Sequence, residues 1–165
     1  MALWISSIWN YLKRLLTRSG NGEGESHAAP LLSVRPTNIG VVTFALIERS
    51  KYVVEPAVKP KKKALMPRKI NGRFELSTYC IDALHPDAIW ALLQSAFGRG
   101  IPARSDFKCE DIRKIPLETD PNWVPERHVD ILGWPLDEDG QASRAQALVA
   151  IANGHLATPG QPTKH

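Results

Sequence analysis

The sequence predicts an α+β domain: a small, largely antiparallel sheet with two helices packed on one face, plus a separate N-terminal amphipathic helix. Three observations predict it. Short β-branched and aromatic runs recur at 39–47, 73–81, 102–109 and 128–134. Two later stretches, 86–98 and 137–154, carry apolar residues at helical spacing instead. Finally, 43% apolar residues in a chain of 165 are enough for one sizeable core, whereas thirteen prolines argue against long regular elements throughout.

The opening stretch, "MALWISSIWNYLKRLLTR", has the clearest periodicity. On a wheel turning about 100° per residue, Trp4, Ile5, Ile8, Trp9, Tyr11, Leu12, Leu15 and Leu16 fall within roughly 160° of arc. Serines, Asn10 and the bases Lys13, Arg14 and Arg18 fill the other side. The charges follow the apolar part, unlike a secretory signal, and the apolar run is too interrupted to span a bilayer. Residues 1–18 are therefore expected to form an amphipathic helix. Its face, with Trp4, Ile8, Trp9, Leu12 and Leu16, suits a protein partner, a second copy, a membrane interface or its own domain. Residues 19–37 have the glycine, serine and proline content of a flexible linker. An α+β domain over 38–156 and a disordered tail over 157–165 complete the expected organisation.

Within the domain, "IGVVTFALI" reads as a strand buried on both faces. Residues 55–70 hold three prolines and read as an extended basic loop. Asn71-Gly72 signals a tight turn. In the following strand Phe74, Leu76, Thr78 and Cys80 share one face, and Arg73, Glu75, Ser77, Tyr79 and Ile81 share the other. Pro86 suits a first helical turn and His85 its cap, with Ile89, Leu92, Leu93, Ala96 and Phe97 as buried stripe and Gly98 as stop. "PARSDFKC" and "HVDILGW" read as strands, with one helical turn at "EDIRKI". Ala145, Leu148, Val149 and Ala152 mark the last helix, which Gly154 ends, and His155 reads as a surface residue.

Charge is unevenly placed. Residues 51–73 carry eight bases and one acid, whereas 105–139 carry ten acids and four bases. The two halves either pair with each other or leave the basic half facing phosphate. Lys59, Lys61, Lys62, Lys63, Arg68 and Lys69 are the candidate phosphate or nucleic-acid contacts. Two cysteines, Cys80 and Cys109, without a CxxC, favour reduced thiols over a disulfide scaffold or zinc site. A cytoplasmic chain, with membrane-peripheral attachment as the alternative, and with no cofactor and no metal, is the expectation. The sequence lacks a P-loop, G-x-S-x-G, HExxH and a dinucleotide glycine fingerprint.

The polar cluster that invites chemistry is "PERHVDILGWP", 125–135. His128 and Asp130 share a strand face about 7 Å apart, too far for a direct orienting bond without a bend. His128 therefore needs a carboxylate from a neighbouring strand, and Asp106 is the natural candidate. Arg104 and Arg127 would then hold an anion beside it. The alternative is that Arg104–Asp106 and Arg127–Glu126 are ordinary ion pairs, with His128 a hydrogen-bonded edge residue. Gly133 is expected to let a backbone pass closely, and Trp134-Pro135 to close a core corner.

The segments "VKPKKKALMP", "ELSTYCIDAL" followed by "IW", "ARSD" and "PERHVDILGWP" resemble a family of small uncharacterised prokaryotic proteins. That family has the frame K…A-F-x-P, L-S-V-x-R, A-R-A-D and R-H-A-x-I-x-G-W-P. The resemblance covers Ser50 to Ala157. It departs at the arginine of L-S-V-x-R, where this chain has Tyr79 or Cys80. It implies a domain boundary and brings no activity. Three functions follow as expectations: a non-catalytic accessory or interaction protein; a His-dependent hydrolase or nuclease using His128, Asp106, Arg104 and Arg127; and a nucleic-acid binder using the Lys59–Lys69 loop.

Overall fold

The computed structural model describes residues 39–157. Nine strands and three helices follow one another among the described residues. They are β1 (Val41–Leu46), β2 (Tyr52–Val53), β3 (Lys59–Pro60), β4 (Arg68–Ile70), β5 (Arg73–Cys80), α1 (Pro86–Phe97), β6 (Ala103–Lys108), α2 (Cys109–Lys114), β7 (Glu118–Pro121), β8 (His128–Leu132), α3 (Glu138–Ile151) and β9 (Asn153–Leu156). The α+β class is as expected. The main sheet runs β7-β8-β5-β1-β6-β9 with β4 hairpinned onto β5, and β2 and β3 form a separate two-stranded ribbon. All the pairings are antiparallel.

Local sequence explains most element ends. Asn71 and Gly72, both at positive φ, turn the chain so that Ile70 pairs with Arg73. This is the two-residue hairpin turn that needs a left-handed pair. Helix α1 starts at Pro86, capped by His85, whose Nδ1 accepts from the Asp87 N–H, and stops at Gly98 with φ 65°. Helix α3 starts behind Asp137, whose carboxylate accepts from the Gly140 N–H at 2.6 Å. Gly133 (φ 83°) passes close to the Pro116 carbonyl, and Trp134 turns inward to donate from Nε1 to the Ile131 carbonyl.

The expectation of two helices on one face is corrected. On one side of the sheet, Val42, Leu76, Cys80, Phe107, Val129 and Ile131 pack with Ala145 and Leu148 of α3 and Ile112 of α2. On the other, Ala45, Tyr79 and Ile81 pack with Ile89 and Leu93 of α1. By strand alternation these are opposite faces, so the helices sandwich the sheet. Strand β1 requires this: Val42, Thr43, Ala45 and Leu46 are all buried, from both faces.

A second correction concerns 152–156. The helix ends at Ile151, and the next residues form β9, paired with β6. Gly154 is a strand residue here, not a helix stop. The segment 55–70 is likewise more structured than a loop, holding β3, a 3-10 turn at Lys62–Leu65 and β4. Strand β7 went unforeseen too. The expected helix over 1–18, with Trp4, Ile8, Trp9, Leu12 and Leu16, the linker over 19–37 and the tail beyond 157 lie outside the described residues. Among the described residues no helix is long and apolar enough to cross a membrane.

Gly154 tests the seam between β9 and the β2–β3 ribbon, because a Cβ there would overlap the Val58 carbonyl. Gly154→Ala is expected to lower stability by about 2 kcal/mol in urea denaturation, as overpacking does.

Candidate functional site

Of the four residues singled out for chemistry, His128, Asp106 and Arg104 fall into two clusters on the α1 face of the sheet. Register separates them. His128 pairs with Tyr79, Tyr79 with Thr43, and Thr43 with Asp106. Two strands therefore stand between His128 and Asp106, roughly 14 Å at ordinary strand spacing. The expected His128–Asp106 partnership does not form.

The first cluster surrounds His128, which is only 9% exposed. Its Nδ1–H donates to Asn122 Oδ1 at 2.9 Å, its Nε2 faces Asp130 Oδ1 at 3.7 Å, and its ring meets Tyr79 edge-on. The two side chains thus come to 3.7 Å of each other despite a strand repeat of about 7 Å. Asn122 Nδ2 also donates to Asp130 Oδ2 at 2.7 Å, so one amide ties the β7–β8 loop to both residues. Arg73 lies at 3.1 Å from Glu75, and at 3.9 Å from both Asp120 and Asp130. Burial pushes His128 below the usual histidine range and Asp130 above the usual carboxylate range, opposed by their mutual attraction. Both groups are thereby biased toward their neutral forms.

The second cluster surrounds Asp106. Its Oδ1 accepts from Thr43 Oγ1 at 2.6 Å, and its Oδ2 lies 3.3 Å from Arg104 Nη2 and 3.1 Å from His155 Nε2. Arg104 is 5% exposed, with the Trp90 ring 5.0 Å from its guanidinium carbon. Its Nε and Nη1 have no hydrogen-bond partner, and desolvation lowers its pKa. The expected Arg104–Asp106 pair exists, as a buried one. The histidine that Asp106 meets is His155, which is exposed, as the sequence placed it, but reaches Asp106 from β9, a strand that was not foreseen. Asn122 and Thr43 were also missed: Asn122 reaches its partners across a loop, and Thr43 meets a residue 63 positions further along the chain.

Arg127 belongs to neither cluster. At φ 62° it bends the chain into β8, and its Nη1 donates to the Cys80 and Asp82 carbonyls at 3.1 and 3.2 Å. It is a structural tie, and no Arg127–Glu126 ion pair forms among the described residues. Cys80 and Cys109 are free, buried thiols. Burial pushes Cys80 up and Cys109 up to about 11, which leaves both unreactive near neutrality. Among the described residues no group of His, Cys, Asp and Glu is arranged to hold a metal ion.

The basic residues divide. Lys59 Nζ donates to the Ala152 carbonyl at 2.9 Å, tying the ribbon to the end of α3, and Lys69 lies over the Phe74 ring. Lys61, Lys62 and Lys63 are exposed and make no ion pair among the described residues, while Arg68 is exposed but engaged. No protein-family model, curated protein or solved structure matches the chain.

Two outcomes test these clusters. Asp106→Ala strands Arg104 as a buried charge and should cost about 3 kcal/mol, whereas Arg104→Met with Asp106→Leu should recover part of it; urea titrations of the three proteins decide. For His128, a folded pKa depressed below 6.5 means its stability contribution is present above that pH and lost as the pH falls. The stability advantage of the native chain over His128→Gln should therefore shrink between about pH 7 and about pH 5 in thermal melts.

Proposed function

We propose that the chain is a non-catalytic interaction protein: an α+β domain that carries an N-terminal amphipathic segment to a partner. One observation supports this above the others. His128, the residue around which a reaction would be organised, is shut in by Tyr79, Asn122 and Asp130. A general base needs its proton acceptor within hydrogen-bond reach of substrate. The hydrolase reading also requires Asp106 to orient His128, and β5 and β1 stand between them, so it is set aside.

In this reading the histidine clusters hold the sheet rigid, and recognition belongs to surfaces outside them. Residues 1–18 supply one such surface. The eight large apolar side chains expected on one face of that segment would need cover, because fully burying each is worth about 1.5–3 kcal/mol. A second copy of the chain is the simplest cover.

Light scattering of the full-length protein should report a species larger than the monomer, and Trp9→Glu should return it to monomer. A native chain that is monomeric and also ignores anionic vesicles overturns the reading. Vesicle binding by a monomer would make the partner a membrane instead.

A further inference from the structure

The lysines that the fold leaves unpaired are not scattered. The Lys61 N–H donates to the Lys51 carbonyl at 2.7 Å, which clamps the start of the 3-10 turn at Lys62–Leu65 to the 3-10 turn at Arg49–Lys51. Leu65, fully buried, pins the first turn to the core, and Ala64 N–H donates back to the Lys61 carbonyl at 2.8 Å. Ser50, Lys51, Lys61, Lys63 and Ala64 consequently line one open depression of about 330 Å³. Lys51 comes from a different part of the chain, so the fold has concentrated charge that the sequence shows only as a run.

The balance of charge there is one-sided. Lys51, Lys61, Lys62 and Lys63 make no ion pair among the described residues, no carboxylate lines the depression, and Glu48 accepts from Ser50 Oγ at 3.2 Å. A second depression, of about 360 Å³ beside Ile39, Gly40 and Val41, is different: Glu110 stands there with Lys108 and Arg113. The backbone of the lysine depression is held by burial and hydrogen bonds, so the stems of Lys51, Lys61 and Lys63 leave the surface close together. An anion relieves their repulsion. Ammonium groups are point charges that suit phosphate oxygens, and an open depression without an aromatic ring offers nothing to read a base. Lys62, exposed beside the depression, extends the positive strip beyond what one small anion fills.

We propose that the Lys51–Lys61–Lys63 depression docks the phosphate backbone of a nucleic acid, without regard to base sequence. This rests on the interaction-protein reading and names a partner for it. Lys59 and Lys69, occupied by the Ala152 carbonyl and the Phe74 ring, are not part of the site.

The test is fluorescence anisotropy of the full-length protein with a labelled mixed-sequence DNA duplex. Each phosphate neutralised contributes about −0.9 to the slope of log affinity against log salt. Three contacts thus predict an affinity loss of about 20-fold from this site when salt is tripled from about 50 to about 150 mM. Lys61→Gln with Lys63→Gln should make the slope shallower by about 1.8. Lys114→Gln, which removes a lysine paired with Asp111, should leave it unchanged. Both residues of the double variant are exposed, and its circular dichroism should match the native chain. Absence of binding at low salt, or an unchanged slope in the double variant, overturns the proposal. So does binding of anionic vesicles through the same lysines with no binding of DNA. Light scattering of the double variant keeps the two readings apart: its association state should not change, whatever happens to DNA binding.

Discussion

Strand β1 has no solvent side, and the domain is organised around that fact. Val42, Thr43 and Leu46 are fully inaccessible, so apolar cover must come from above and below the sheet. Helix α3 with α2 supplies one lid and α1 the other. Burying both faces has a second consequence. The α1 face carries Thr43, Arg104, Asp106, His128 and Asp130, and buried polar groups must find partners within the protein. The two clusters are what that requirement produces when the sheet is closed.

Each buried carboxylate gathers its own donors, which is why the histidines divide between them. Asp106 takes Thr43, Arg104 and His155. Asp130 takes Asn122, with Ser77 at 3.5 Å and His128 and Arg73 near by. A carboxylate surrounded in this way has its oxygens engaged within the protein. Arg104 is the exception within the clusters. Only Nη2 meets Asp106, and stacking on Trp90 compensates part of the desolvation of the rest.

What was legible in the sequence was local. Asn71-Gly72 determines its own turn, His85-Pro86 its own helix start, and alternation along 73–80 sorts Leu76 from Ser77 without help from elsewhere. What was illegible depends on chain segments far apart. A helical stripe such as Ile89 and Leu93 declares that one side is buried, but not which side of the sheet receives it. Asn153-Gly154-His155-Leu156 has no strand signature of its own and becomes β9 only because β6 offers an edge. His155 could not be assigned to Asp106 before that pairing existed. The same holds for Asn122, whose two contacts reach six and eight residues ahead across a loop.

Charge followed the fold rather than directing it. Of the basic segment, Arg73 reaches the acidic one, with Asp120 and Asp130 both at 3.9 Å. Exposed ion pairs contribute about 0–1 kcal/mol, too little to re-route a chain whose path is set by burial. Leu65 is fully buried beneath the lysines and fixes where they emerge, whatever their preferred partners. An uncompensated cluster is therefore tolerated because the apolar anchor under it is worth more than the repulsion above it. Screening at ordinary ionic strength lowers that repulsion further, so the surplus charge costs the fold little.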